Sequence, residues 1–225
     1  KNMYPSVSSR FRAFNEPLEG VVKFMYLDIK GLVTIGVGNL IDPIGAALAL
    51  PFKFKGTGMP ASRADIESEW NLLKGKPELA QKGHRACAPL TKLELDDPTI
   101  DKLVSTRLQQ NEAFLKKQKP FKEFDKWPAD AQLALLSMAW AMGPGFAGGW
   151  PKFSAACEKM DFDAAAENCQ MSEAGNPGVA PRNRADKLLF QNAAAVIAGE
   201  ADGFYERPTL YYPQVLLKPT TITAE

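Results

Sequence analysis

Apolar residues recur at helical spacing along most of the chain. Near the N-terminus this spacing predicts a helix over 11–24. Pro17 falls inside the pattern, so the helix either kinks or begins there, which would place Glu19 on a short helix running to about Phe24. Residues 1–10, with Pro5 and three serines, are predicted to form an extended lead-in.

The pattern changes to that of strands between Met25 and Gly38. β-branched residues cluster here and are interrupted by Lys30-Gly31, which predicts a small hairpin or meander. Gly36 and Gly38 permit unusual backbone angles or the close approach of a ligand. Residues 41–60, rich in proline and glycine, are predicted to be a long loop with a short helix at 46–50.

The remainder of the chain is predicted to be mainly helical. Ser62 and Asp65 form a capping-box pattern at the start of one helix, and the helix over 129–142 is apolar nearly all round, which indicates a buried, central position. The tail, 204–225, is predicted to be extended and to wrap the body. The predicted helices cover 63–74, 98–117, 129–142, 152–159, 163–171 and 182–198.

Composition and charge narrow the function classes. The 225 residues are 45% hydrophobic with 27 basic and 26 acidic side chains, a balance that argues against nucleic acid as a partner. No apolar run reaches about 18 residues, so we expect no membrane insertion. Lys1 is not an initiator methionine, and we therefore expect the chain to begin within a longer or processed product.

Histidine and cysteine are too sparse to indicate a metal or disulfide framework. The single histidine, His84, is predicted to lie on the surface, and no cluster has metal-ligand spacing, so we expect no metal site. Cys157 and Cys169 would meet if their helices formed an antiparallel pair, but buried free thiols are the favoured interpretation for them and for Cys87.

The stretch from 18 to 40 holds the candidate chemistry. Glu19 and Asp28 would lie more than about 13 Å apart on one helix, but a break between helix and strand lets them face each other across a cleft. Two carboxylates in different environments are the usual requirement for glycoside hydrolysis. Thr34 offers a hydroxyl to hold water. Spacing alone favours the simpler interpretation of surface carboxylates and a strand-forming threonine.

The residues around Glu19, Asp28 and Thr34 strengthen the hypothesis of a glycoside-hydrolysing site. Glu19-Gly20, Tyr26, Asp28, Gly31 and the run 34–38 resemble the active-site stretch of the phage-type lysozymes, the family of the T-even phage lysozyme. That family spaces Glu, eight residues, Asp, five residues, Thr, and this chain has the same spacing. The likeness continues, in order, at 137–143, 162–168 and 181–185, and covers roughly 11–198.

The resemblance implies a fold that is α+β and mainly α, with two lobes. A small lobe with a β-hairpin or meander would occupy about 18–97, with insertions. A linking helix at about 98–117 would lead to a helical lobe formed by about 118–200 and residues 1–17. Residues 201–225 would form an extended C-terminal tail.

The resemblance also implies roles for individual residues. Glu19 would be the general acid, Asp28 the carboxylate that orients water, and Thr34 a second holder of that water, in a reaction that inverts the anomeric centre. Arg184 would pair with the catalytic glutamate and fix its rotamer. Such a pairing would lower the pKa of Glu19, whereas burial in the cleft would raise it.

Further positions would contact or surround the sugar. Gly38 and Leu40 match sugar-contacting positions, Asn168 an amide that hydrogen-bonds the sugar, and Trp140 an aromatic residue of the cleft floor. For Leu40 and Trp140, core packing is an equal alternative. The cleft would thus have residues 18–40 on one side, with Trp140, Asn168 and Arg184 on the other.

The chain departs from the family's pattern in three places. Asn39 stands where the family often has histidine, so an ion pair found in some members would be absent. Residues 41–60 and about 70–95 look like insertions beside the cleft, where they would reshape or block the groove. The tail after residue 200 is also extra.

The implied activity is that of a lysozyme, an N-acetylmuramidase. It would hydrolyse the β-1,4 bond between N-acetylmuramic acid and N-acetylglucosamine, without a cofactor, as a monomer acting on peptidoglycan glycan strands in the bacterial periplasm or cell wall. A lytic transglycosylase, which needs only the acid, and a non-catalytic peptidoglycan-binding or structural module are the alternatives.

The biological setting stays open between four possibilities. The domain would belong to a phage endolysin, a tail lysozyme, a bacteriocin or a secreted antibacterial effector, and an effector would have a cognate immunity or inhibitor protein. The first residue, Lys1, and the extra tail favour a domain of a larger delivered protein.

Overall fold

The structure, a computed structural model, describes residues 1–220. It is α+β and mainly helical, with 56% helix and 8% strand. Short 3₁₀ turns connect several of the helices. The α-helices are α1 Pro5–Glu19, α2 Gly45–Leu48, α3 Arg63–Lys74, α4 Asp97–Lys116, α5 Ala129–Met142, α6 Pro151–Glu158, α7 Phe162–Glu167 and α8 Ala180–Gly199.

The chain forms two compact units. One, the sheet unit, is Glu19–Arg107; the other, the helical unit, contains Lys1–Leu18 and the residues from Leu108 onward. The boundary on the C-terminal side of the sheet unit falls within α4. Each unit is described below by itself.

The sheet unit holds a three-stranded antiparallel sheet in the order β1-β2-β3, which confirms the predicted hairpin or meander. Tyr26 pairs with Thr34, and Thr34 pairs with Leu40. Because successive side chains of a strand point to opposite faces, these three share one face of the sheet, while Met25 and Ile35 enter the core. The strands are β1 Val22–Leu27, β2 Val33–Gly36, β3 Asn39–Leu40, β4 Lys53–Phe54 and β5 Leu93–Glu94, the last two pairing as a separate sheet.

The N-terminal prediction was wrong in its boundaries. Residues 1–10 are not an extended lead-in, because α1 begins at Pro5, includes Pro17 and ends at Glu19, where a short helix to Phe24 was expected. Val7 and Phe11 are fully buried at helical spacing, which extends the helix toward the N-terminus. The apolar residues after Glu19 suit strand as well as helix spacing, and pairing with β2 makes them a strand.

The segment after the sheet is more ordered than the predicted long loop. The short helix predicted at 46–50 is present as α2, Gly45–Leu48, and β4 follows it; the predicted range of α3, Arg63–Lys74, is confirmed. The Ser62 hydroxyl accepts the Asp65 N–H at 3.1 Å, and the Asp65 carboxylate accepts the Ser62 N–H at 2.8 Å. This reciprocal capping box explains why the start of α3 was readable from local sequence.

In the helical unit, α5 is the central element, as predicted. Every residue from Ala129 to Trp140 is buried. α5 packs against α8, and α8 packs against α7. The predicted helix ranges 98–117, 152–159, 163–171 and 182–198 correspond to α4, α6, α7 and α8 with shifted ends. Aromatic rings fill the space beside these helices, namely those of Phe121, Phe124, Trp127, Phe153, Phe162 and Phe190.

The three cysteines are buried free thiols, as favoured from the sequence. Burial raises the pKa of Cys157 and raises that of Cys169 to about 12, so both thiols are held in the protonated form at neutral pH. From residue 201 to 220 the tail has turns but neither helix nor strand. The final residues of the predicted tail, 221–225, lie outside the described residues.

Candidate active site

Glu19 is exposed at the C-terminal end of α1, where the chain leaves the helix for β1. Gly20 has φ +76°, a left-handed conformation that favours glycine and separates helix from strand. A Cβ atom added at Gly38 would lie 3.9 Å from Glu19 Oε2. The carboxylate of Glu19 therefore reaches the turn between β2 and β3, within the sheet unit.

Arg107, from α4, approaches the same turn and was not identified from the sequence. Its Nη1 donates a hydrogen bond to the Gly38 carbonyl at 2.8 Å and lies 3.8 Å from the position of a Gly38 Cβ. A carboxylate and a guanidinium thus flank Gly38. In the sequence, Leu103 and Arg107 are four residues apart, which places them on one face of the predicted helix. This spacing points to Arg107 as a site residue only once that face is known to pack on the β2–β3 turn.

Asp28 is half-buried and anchored at the tight turn between β1 and β2. Its Oδ1 accepts the N–H groups of Lys30 and Leu32, each at 2.9 Å. Aspartate side chains commonly stabilise turns through such bonds to the following backbone. The orientation of the Asp28 carboxylate is therefore set by the hairpin itself.

Thr34 is 4% exposed and lies opposite Tyr26 in the sheet. Its hydroxyl donates to the Leu32 carbonyl at 3.0 Å. A hydroxyl has one donor and two acceptor lone pairs, so this bond leaves Thr34 Oγ1 with the capacity to accept a hydrogen bond.

Tyr26 links the two candidate carboxylates electrostatically. Burial, followed by the negative charges of Glu19 and then Asp28, raises the pKa of Tyr26 to about 12, while Arg107 acts in the opposite direction. Both carboxylates are therefore close enough to act on one phenol, which stays protonated and can donate a hydrogen bond. Tyr26 belongs to the stretch that resembles the phage-type lysozymes, but the sequence did not show that both acids act on its pKa.

Two neighbouring residues complete this part of the sheet unit. Leu40 is 53% exposed on the face that carries Tyr26 and Thr34, so it has surface available to a ligand. The buried Asn39 accepts the Val37 N–H at 3.1 Å and donates to the Leu103 carbonyl at 3.4 Å. A neutral amide thus joins the β2–β3 turn to α4.

The other predicted site residues belong to the helical unit. Trp140 is 3% exposed, with its ring 5.1 Å from that of Phe11, a packed position. Asn168 ends α7 and donates to the Ala164 carbonyl at 2.8 Å. Arg184 is exposed and lines a pocket of about 410 Å³ with Phe14 and other residues of α1 and α8. Their roles toward substrate stay predictions of the resemblance.

Within the described part of the chain, no three histidine, cysteine, aspartate or glutamate side chains are grouped as metal ligands. In the same residues no helix is both long enough and apolar enough to cross a bilayer. The arrangement around Gly38 and Tyr26 instead offers two carboxylates, a phenol, a hydroxyl and a guanidinium, which is a set suited to proton transfer.

Comparison with known proteins adds no further constraint. No protein-family model matches the chain, and no curated protein matches it.

Proposed function

We propose that this protein is a peptidoglycan hydrolase of the lysozyme type, cleaving the β-1,4 bond between N-acetylmuramic acid and N-acetylglucosamine. The observation that carries the proposal is that Glu19 and Asp28 lie in one compact unit, where Glu19 reaches the β2–β3 turn, Asp28 is fixed at the β1–β2 turn, and both raise the pKa of Tyr26. Glu19, Asp28 and Thr34 also keep the order and spacing of the phage-type lysozymes. Because the proposed substrate is peptidoglycan, the protein would act in the bacterial periplasm or cell wall.

The two carboxylates have the different environments that general acid and base roles require. Glu19 is exposed at a helix end, where it can reach a glycosidic oxygen and protonate it. Asp28 is held by two N–H groups and acts as the base toward water. The acceptor capacity of Thr34 Oγ1 suits the same water, which would donate one hydrogen to Asp28 and one to Thr34, directing an oxygen lone pair at the anomeric carbon.

The test compares the wild type with Glu19→Gln and Asp28→Asn on purified peptidoglycan, measuring clearing and new reducing ends. Loss of the acid is expected to lower the rate by roughly 10²–10⁴-fold, and loss of the base by a comparable factor. Asp28→Asn keeps an oxygen that can accept the Lys30 and Leu32 N–H groups, so the hairpin is preserved.

Glu67→Gln is the matched control, because Glu67 is an exposed glutamate on α3 of the same unit. It is expected to leave the rate unchanged. A Glu19→Gln protein that clears peptidoglycan as fast as the wild type would refute the catalytic assignment.

One observation favours a lytic transglycosylase as the second candidate. Asp28 Oδ1 and the Thr34 hydroxyl both bond to the backbone of the β1–β2 turn, a role that shapes the hairpin without any water. In that reaction the acid acts alone and the product carries an anhydro-muramic end. Mass spectrometry of the released fragments separates the two, and Asp28→Asn would then retain activity.

A further inference from the structure

The pocket that Arg184 lines belongs wholly to the helical unit. It is formed by α1, α8 and the tail and has a volume of about 410 Å³. This volume lies within the roughly 300–1,000 Å³ typical of small-ligand sites. A ligand in this pocket would therefore be held by one compact unit.

The walls of the pocket are almost wholly hydrocarbon. Seven of the nine lining residues are alanine, proline, leucine or phenylalanine, and the other two are Arg184 and Tyr212. Pro17 and Pro181 are exposed and Leu188 is partly exposed, so apolar surface is open to a ligand. A polar group in the body of a ligand would lose water here and find few partners, which costs free energy. The walls thus favour a hydrocarbon body over a sugar, a nucleotide or a peptide.

One wall of the pocket is fixed by the tail. The ring of Tyr212 lies 5.4 Å from that of Phe14 at 78°, a favourable edge-to-face contact. The Tyr212 N–H donates to the buried Asp130 carboxylate at 3.0 Å. Burial raises the pKa of Tyr212, so its phenol stays protonated at neutral pH and can donate a hydrogen bond. The pocket is therefore preformed, which lowers the cost of ordering it around a ligand.

Arg184 carries the one charge among the lining residues. It is exposed, and it has no hydrogen-bond or ion-pair partner among the described residues of the helical unit. In the same unit Arg207 pairs with Glu200 at 2.7 Å. The planar guanidinium of an arginine can hold a carboxylate through two parallel hydrogen bonds. Arg184 therefore favours a ligand with a carboxylate head group.

Acidic groups do not oppose an anion in the pocket. The nine lining residues include no acid. Asp186, two residues after Arg184, is fully buried, and burial raises its pKa to about 7. At pH 6 its carboxyl group is therefore mainly protonated, and the positive charge of Arg184 prevails.

We infer that this pocket binds a monocarboxylate with a hydrocarbon body, of the kind represented by a medium-chain fatty acid. The carboxylate lies on Arg184 and the chain lies against Phe14 and Leu188. The inference goes beyond the proposed function and does not rest on it, since every lining residue belongs to the helical unit.

The test is calorimetric titration of the full-length protein at pH 6 with octanoate and with 1-octanol, its uncharged counterpart. Saturable binding of one octanoate is expected, with weaker binding of octanol. Arg184→Gln is expected to weaken octanoate binding roughly 10–100-fold, because a hydrogen bond to a charged group is lost. The same change is expected to leave octanol binding unaltered, since octanol does not use the guanidinium charge.

Arg10→Gln is the matched control, because Arg10 is an exposed arginine on α1 that does not line the pocket. It is expected to bind octanoate as the wild type does. Ala13→Phe is a second test at an exposed lining residue, where the added ring is expected to fill the pocket and abolish binding of both ligands.

Three results would overturn the inference: no saturable binding of octanoate by the wild type, unchanged binding by Arg184→Gln, or unchanged binding by Ala13→Phe. Sedimentation with phosphatidylglycerol vesicles separates two sources of the same chemistry. Co-sedimentation of the wild type but not of Arg184→Gln would identify an anionic membrane lipid as the source, and its absence would identify the free acid.

The pocket and the proposed activity can fail separately. Saturable octanoate binding by a protein that releases neither reducing ends nor anhydro ends removes the proposed function and leaves the carboxylate site. A protein that cleaves peptidoglycan but does not bind octanoate removes the carboxylate site and leaves the hydrolase.

Discussion

At the scale of residues, Gly38 is the point where backbone conformation and candidate chemistry coincide. Its φ of +71° favours glycine, and its carbonyl accepts the hydrogen bond from Arg107. A Cβ atom added there would contact Arg107 Nη1 at 3.8 Å and Glu19 Oε2 at 3.9 Å. The sequence marked Gly38 for close approach of a ligand, and the structure adds that two charged groups already meet there.

Gly38→Ala tests this arrangement against a control of equal strain. A methyl group at φ +71° is expected to cost about 1–2 kcal/mol of stability, and relaxation of this strained turn is expected to shift Glu19 and Arg107, which the added Cβ would contact at 3.9 and 3.8 Å. Activity on peptidoglycan is expected to fall roughly 10–100-fold, as for small misplacements of catalytic groups. Chemical denaturation and reducing-end release measure the two effects.

Gly56→Ala supplies the comparison, because Gly56 has φ +80° and no heavy atom within 4 Å of its added Cβ. It should lose similar stability and keep the wild-type rate. Equal losses of activity in both variants would show that backbone strain, and not the groups around Gly38, controls the rate.

At the scale of elements, the tail is held by buried polar groups of α5 and α8. The Asp130 carboxylate accepts the N–H groups of Tyr211 and Tyr212 at 2.8 and 3.0 Å, and Asn192 Nδ2 at 3.0 Å. Asn192 Oδ1 in turn accepts the Leu216 N–H at 2.9 Å. This irregular segment stays in place because its backbone N–H groups donate hydrogen bonds to side chains of the helices.

Asp130→Asn is expected to detach this segment. The asparagine side chain has one acceptor oxygen in place of two, and its NH₂ group would face backbone N–H groups that are also donors. About 2–4 kcal/mol of stability is therefore expected to be lost. Limited proteolysis is then expected to cleave within residues 204–216 of the variant, and the wild type is expected to resist cleavage there. The exposed Asp202→Asn serves as control, and a tail equally resistant in Asp130→Asn would contradict the anchoring role.

At the scale of the whole molecule, an acid buried in the helical unit is expected to make stability depend on pH. Asp186 is fully buried, and burial raises its pKa from 3.8 to about 7, opposed by Ser137 and Arg182. Arg182, 3% exposed, donates to the Ser137 hydroxyl at 3.1 Å. A buried polar group of this kind makes folding sensitive to pH.

The sign of that dependence follows from the raised pKa. Between pH of about 4 and 7 the unfolded chain has an ionised Asp186 while the folded chain keeps it protonated, so the folded state binds more protons. Stability should therefore fall as the pH rises through this window, by at most about 1.4 kcal/mol per pH unit from this group. Asp186→Asn should remove that part of the slope.

The measurement is urea denaturation at several pH values, followed by tryptophan fluorescence. Three of the four tryptophans, Trp127, Trp140 and Trp150, lie in the helical unit and report on it. Asp202→Asn, at an exposed site, should keep the wild-type pH dependence. Identical slopes for Asp186→Asn and the wild type would show that Asp186 is not the titrating group.

Local sequence determined the elements that are stabilised by residues close together in the chain. The capping box of Ser62 and Asp65 located α3, the all-round apolar run located α5, and β-branched residues around Lys30-Gly31 located the hairpin. The spacing of Glu19, Asp28 and Thr34 likewise produced the catalytic hypothesis before any contact was known.

Tertiary contacts decided what local pattern left ambiguous. Pairing with β2 made a strand of the apolar residues after Glu19, so that Glu19 ends α1 instead of lying within a helix. Packing of α4 on the β2–β3 turn brought Arg107 to Gly38, 69 residues away. Such contacts join distant positions through burial and hydrogen bonding, and neither propensity nor spacing along one segment specifies which distant partner will be met.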